Sequence, residues 1–238
     1  PQVVRRALAE NGITLLVEPF TATAGNEAGA RALSDDLAGR ISGFSLYKVT
    51  SAPATPGGKA DGLTYVLKGR LDADGKVSVQ LVDAVGGAHL WAQTYRWPAE
   101  ASDLVTVIAS ELQSPLLVAV KDRLKQRPIL TLRPWELNLL VTWVPGAEGA
   151  PPGPPSENSF WLQKRALDID PAYAPAHATF AEMLAYHAQF DPPSDTTAAQ
   201  KRARDHADRA LQLAPYDAEV LYHVATYYRF TGDRDKAA

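Results

Sequence analysis

The sequence predicts an α+β chain in two parts. A small mixed α/β sheet domain covers residues 1–128, and an all-α array of helix-turn-helix repeats covers residues 129–238. Three observations predict this. The first half holds short apolar or alternating runs broken by Gly, Asp and Pro, the pattern of strands and turns. One amphipathic helix separates the first two of those runs. The second half has helical spacing throughout, with Ala at recurrent positions and Pro171 and Pro215 closing successive helices.

The elements follow in order. Ile13–Phe20 (ITLLVEPF) is a nearly continuous apolar run, which predicts a central strand that stops at Pro19. Asn26 is placed to cap a helix to about Ser42. Ala30, Leu33, Leu37 and Ile41 make one apolar stripe on it, and Gly43 follows as its stop. Ser45–Thr50 reads as a second strand. SAPATPGGKADG (51–62) is a breaker-rich loop. Leu63–Leu71 alternates and turns through Asp72-Ala73-Asp74-Gly75, a strong hairpin signal, into Lys76–Asp83. Gly86-Gly87 turns again into Ala88–Trp97. After Pro98, Ser102 or Asp103 is placed to cap a long helix to about Arg127. Its stripe is Leu104, Ile108, Leu112, Leu116, Val120 and Leu124, and Pro115 is expected to kink or divide it.

This order, and four stretches in particular, resemble the TolB-amino-terminal-like domain of bacterial regulators. The stretches are Leu16–Phe20, Ala32–Leu37, Tyr65–Arg70 and, above all, Val79–Tyr95 with its Asp83-Ala84 turn, Gly86-Gly87, Trp91 and Tyr95. The resemblance runs from about Ile13 to Arg127 and implies a regulatory, non-enzymatic domain. The family carries a further helix before the strand at Leu63, where this chain has its Pro/Gly loop.

The second half resembles a tetratricopeptide array, in which each repeat of ~34 residues is a pair of antiparallel helices. From Ala218, residues Leu221, Val224, Ala225, Tyr228, Gly232 and Ala237 fall on the family's ladder positions. Ala203, Ala210 and Pro215 precede them, and Ala166, Pro171, Phe180 and Ala181 repeat the phase. The two stop prolines are separated by roughly ten residues more than one repeat. The loop Phe190–Thr197 accounts for the excess. A looser first unit pairs Trp135–Val144 with Phe160–Ile169 across PGAEGAPPGPPSE. The resemblance implies continuation beyond Ala238, because a last repeat leaves an apolar face to cover.

Composition narrows the function classes. A formal charge of −3 gives no electrostatic footprint for nucleic acid, so no direct nucleic-acid binding is expected. With no cysteine, disulfides, thiolate metal sites and thiol nucleophiles are excluded. No apolar run approaches the ~20 residues of a membrane span, and no leader reads as a signal peptide. The five histidines form no ligand pair at one-turn spacing, so no metal and no cofactor is expected. Asp72–Gly75 reads as a turn rather than a calcium loop, and Asp35-Asp36 as a solvated helix face. Lys201-Arg202-Ala203-Arg204 also reads as a solvated face, since Asp205 and Asp208 follow. No nucleophile elbow or phosphate cradle is present, so the chain is not expected to be an enzyme.

Candidate sites are therefore contact surfaces. Tetratricopeptide resemblance places Ala178, Glu182, Ala185 and Tyr186, with Glu219, Tyr222, Thr226, Arg229 and Phe230, in a partner-binding groove for a peptide or protein segment. Arg229 would be free for a carboxylate. Tyr222 and Phe230 have a second reading, as packing between repeats. Trp91, Tyr95 and Trp97 share one side of the last strand. They read either as core under the long helix or as a secondary contact face. The pairing of the two domains resembles the C-terminal region of CadC- or ToxR-like winged-helix regulators, usually with one membrane span, or of class III adenylate cyclases. It implies a sensory, protein-interaction region whose effector domain, DNA-binding or cyclase, precedes residue 1. The region would then lie in the periplasm or, alternatively, in the cytoplasm. A free-standing envelope scaffold is the remaining reading.

Overall fold

The computed structural model describes residues 12–23, 25–43, 47–50, 63–97, 101–141, 157–190 and 196–237. They form two compact units that divide between Arg123 and Leu124, a few residues before the boundary expected at 128. A mixed sheet belongs to the first unit and helices make up the second, so the class is α+β. The predicted loop 51–62, the linker 145–156 and most of the loop 190–197 lie outside the described residues.

In the first unit, β1 (Thr14–Val17) leads through β2 (Thr21–Ala22) to α1 (Glu27–Ile41) and β3 (Lys48–Thr50). Then come β4 (Thr64–Leu71), β5 (Lys76–Asp83), β6 (His89–Arg96) and α2 (Ala101–Lys125). The strand order is β3-β1-β4-β5-β6, with β2 continuing beside β4. β1 pairs parallel with both β3 and β4, which makes it central as its apolar run requires. β4, β5 and β6 form the antiparallel meander that the two turns predict. Gly75 and Gly87 take φ of 75° and 69° in those turns, where a side chain would be strained.

Leu67, Val77, Val79 and Leu81 are fully or almost fully buried, as are Ala30, Leu33, Leu37 and Ile41 of α1 and Ile108, Leu112, Leu116 and Val120 of α2. Each buried Leu or Ile stabilises the unit by about 1.5–3 kcal/mol. On the other face of the sheet Lys68, Arg70, Ala92 and Thr94 are exposed, although Val66 on that face is buried.

Three local expectations need correction. The strand at 13–20 breaks at Glu18–Pro19, and β2 resumes on β4. Asn26 stands at the start of α1 without capping it; its Nδ2 donates to the Asp72 carbonyl at 3.3 Å. α2 begins at Ala101, so Ser102 and Asp103 lie inside its first turn, and the helix runs through Pro115 without dividing. The buried stripe on both sides of Pro115 holds the two halves in one element.

α2 also corrects the statement about apolar runs, since Asp103–Lys125 is long and apolar enough to cross a membrane by length and composition alone. Two of its polar side chains pair instead with the sheet. Glu111 Oε2 accepts from the Tyr95 hydroxyl at 2.6 Å, and Arg123 Nη2 pairs with Asp83 Oδ2 at 2.5 Å. That is the behaviour of a core helix in an α/β layer.

The second unit contains a 3₁₀ turn (Ile129–Thr131) and helices α3 (Pro134–Val141), α4 (Glu157–Ile169), α5 (Ala174–Phe190), α6 (Thr196–Leu213), α7 (Ala218–Thr231) and α8 (Arg234–Ala237). Pro134 opens α3, where its missing N–H costs nothing. Glu136 reaches back to accept from the Arg133 backbone N–H at 2.7 Å, the carboxylate half of a capping box. Asp217 caps α7 by accepting from the backbone N–H groups of Glu219 and Val220. Gly232, at φ 82°, ends α7 in the left-handed conformation, and its N–H and that of Asp233 satisfy the last carbonyls. Ala166, Ala181, Ala203, Ala207 and Ala210 are all fully or almost fully buried where helices pack closely.

Candidate functional site

α3, α5 and α7 direct polar side chains toward one another. Gln163 Nε2 (α4) donates to Asn138 Oδ1 (α3) at 2.8 Å, and Asn138 Nδ2 donates to Glu219 Oε1 (α7) at 2.9 Å. Burial pushes the Glu219 carboxyl up, and His223 one turn along α7 works against that shift. His223 Nδ1 pairs with Glu182 Oε2 of α5 at 2.5 Å. Tyr173 lies in the same region; burial raises its phenol far above the ordinary value, and Glu219, Asp217 and Asp170 push the same way.

Two of the expected groove residues, Glu182 and Glu219, therefore spend carboxylate oxygens inside the unit. A third, Thr226, is buried and donates to the Tyr222 carbonyl at 3.0 Å. Ala178 and Ala185 are buried. Tyr222 is 60% exposed, with His223 edge-on to its ring, so it does not pack between helices. Phe230 does pack, edge-on against Tyr186 at 5.2 Å between centroids.

The remaining expected residues converge at the C-terminal ends of α5 and α7. Tyr186, Phe190 and Phe230 form one aromatic cluster, with Phe190 4.6 Å from Tyr186 and 6.4 Å from Phe230. Phe190 is 60% exposed, and Arg229 is exposed with its guanidinium 5.6 Å from the Phe230 ring. Arg229 has no ion-pair partner among the described residues. The helical ladder found Tyr186, Arg229 and Phe230. It missed Phe190, which the sequence reading assigned to a loop, although it stands one turn beyond Tyr186 on the same helix face.

Trp91, Tyr95 and Trp97 are half-buried. Trp91 stands opposite Leu81, Tyr95 bonds to α2, and Trp97 lies beside Gly29 of α1, where an added Cβ would meet its ring. None of the three is fully buried, and only Tyr95 bonds to the long helix.

Histidines 29 residues apart also meet. His177 Nδ1 lies 2.8 Å from His206 Nδ1, and His177 Nε2 is 3.0 Å from the Pro171 carbonyl. A carbonyl only accepts, so His177 carries its proton on Nε2, and His206 donates from Nδ1 to a bare His177 Nδ1. Burial, with His177 and Arg202 adding, brings His206 down to about 4. No group of three or more His, Asp or Glu positioned to hold a metal occurs among the described residues.

No protein-family model matches the chain, and no curated protein does. Two solved structures are similar in part. One is the dodecamer of a PelC variant from Paraburkholderia phytofirmans, 21% identical, covering 44% of this chain and 90% of that one at a TM-score of 0.33. The other is the PelC dodecamer from the same organism in a second crystal form, 19% identical, covering 44% and 88% at a TM-score of 0.33. A likeness of that size supports no conclusion about fold or function.

Proposed function

We propose that this chain is a non-catalytic protein-interaction region of a bacterial signalling protein, and that its helical unit is a tetratricopeptide array. The observation that carries the proposal is the aromatic cluster Tyr186–Phe190–Phe230 with an exposed Phe190 and Arg229 beside it. Aromatic rings and arginine are the side chains that most often anchor a partner, because they bring large contact area with few rotatable bonds. The array reading is supported by the equivalence of two junctions: α5 and α7 each begin three residues after a proline, Pro171 and Pro215. The buried alanines on α5 and α6 fit the small positions of such repeats.

The partner is a peptide or protein segment with apolar side chains and a carboxylate for Arg229. The resemblance of the two-domain order favours a winged-helix transcriptional regulator, with the helical unit on the periplasmic side. A class III adenylate cyclase is the second setting. The test is affinity selection of random peptides on the 238-residue chain. Enrichment of peptides with paired apolar residues and an acid, lost on Phe190→Ser with Arg229→Gln, is the expected result. Equal enrichment on the double variant, with its helix content unchanged, would remove this surface from consideration.

A further inference from the structure

A second surface of the helical unit has the makings of a small-molecule site. Between α4, α5 and α6 lies a cavity of about 380 Å³ lined by Phe160, Trp161, Phe180 and Leu184, with Lys164 and Arg202 also on its lining. That volume falls within the roughly 300–1,000 Å³ of ordinary ligand clefts. The walls are aromatic and fixed: Phe160 packs edge-on to Phe180 at 5.9 Å, and Phe180 edge-on to His206 at 4.7 Å. Trp161 is 43% exposed, a large apolar surface left in water.

The polar groups of the cavity share one sign. Lys164 and Arg202 are exposed and form no ion pair among the described residues, whereas Lys201, the neighbour of Arg202, is paired with Asp205 at 2.7 Å. Among the described residues no carboxylate lines the cavity. His187 also lines the cavity.

We propose that this cavity binds a small, flat, apolar carboxylate. The ring system lies against Phe160, Trp161 and Phe180. The carboxylate meets Lys164 and Arg202. A volume of about 380 Å³ suits one ring system with its carboxylate, and the carboxyl end of a peptide is the alternative that the titration below separates. This surface is distinct from the Phe190–Arg229 cluster, so the two proposals stand or fall separately.

The probe is 2-naphthoate, titrated calorimetrically into the full 238-residue chain beside neutral 2-naphthalenemethanol. Binding is expected for the acid and at least about tenfold weaker for the alcohol, since two charge-assisted contacts are lost. Lys164→Gln with Arg202→Gln, both at exposed positions, brings the acid down to the level of the alcohol. Ala188→Trp fills the cavity and abolishes both; if that variant fails to fold, the charge variant alone decides. Absence of naphthoate binding, equal binding of acid and alcohol, or a charge variant with unchanged affinity overturns the proposal. Tighter binding of N-acetyl-Leu-Phe than of naphthoate overturns the small-molecule assignment and points to a peptide carboxyl end.

Discussion

Asn138 and Glu219 are 81 residues apart in sequence, and a 2.9 Å hydrogen bond joins them. Through it the short helix α3 is tied to α7, and Gln163 extends the chain to α4. The carboxyl accepts a neutral donor rather than a cation, which suits a group whose charged form is disfavoured by burial.

Asn138→Ala therefore leaves Glu219 and Gln163 each short of a partner. The expected loss is about 1–3 kcal/mol in the urea unfolding of the chain. Asn138→Asp should cost more, because it sets a second carboxyl against Glu219. A loss below about 0.5 kcal/mol for both would show that water replaces the bond freely.

The Phe20 ring occupies the space beside Gly69 that any Cβ there would overlap. Gly69→Ala should destabilise the sheet domain by about 1–3 kcal/mol through overpacking. Phe20→Leu in the same chain should recover part of that loss, a coupling read from a double-mutant cycle. Strictly additive effects would contradict the contact.

This pair shows how far the sequence could be read. The stretches Leu16–Phe20 and Tyr65–Arg70 stood out as marks of a resemblance, and the contact supplies a physical reason for having Phe in one and Gly in the other. The order of elements along the chain, both hairpin turns and the stripes of α1 and α2 follow from period and turn chemistry, which are local signals. The break at Pro19 was visible, yet the return of Thr21–Ala22 to β4 was not, because parallel pairing depends on a distant strand. The same limit hid the site. Tyr186, Arg229 and Phe230 lay on a recognisable ladder. The pairs His177–His206 and Glu182–His223 join different helices at separations that no local pattern encodes.

His206 and His177 both have folded-state values below the ordinary 6.5. Between pH 6.5 and about 4 the unfolded chain then binds more protons than the folded one. Stability held above pH 6.5 should fall as the pH drops through that window. Arg202 and Arg209 strengthen the effect, and Asp205 and Asp170 oppose it. His206→Leu should flatten the pH dependence of the thermal midpoint in that range. An unchanged slope would place the titrating group elsewhere.

Tyr222 and Phe230 should separate in their effects on folding. Tyr222→Ala removes a ring that is mostly in water and should change stability by less than about 0.5 kcal/mol. Phe230→Ala removes a ring packed on Tyr186 and Phe190, and should cost about 1–3 kcal/mol. Equal effects on thermal unfolding would contradict the different packing of the two rings.

The proposal of a partner surface at the ends of α5 and α7 is tested most directly by mapping a bound peptide. A peptide selected on the chain would be titrated while backbone and aromatic NMR shifts are followed. Perturbations are expected to centre on Tyr186, Phe190, Arg229 and Phe230, with at least about a tenfold loss of affinity on Arg229→Gln. Perturbations centred on the Trp91–Tyr95 strand instead, with affinity unchanged by Arg229→Gln, would contradict it.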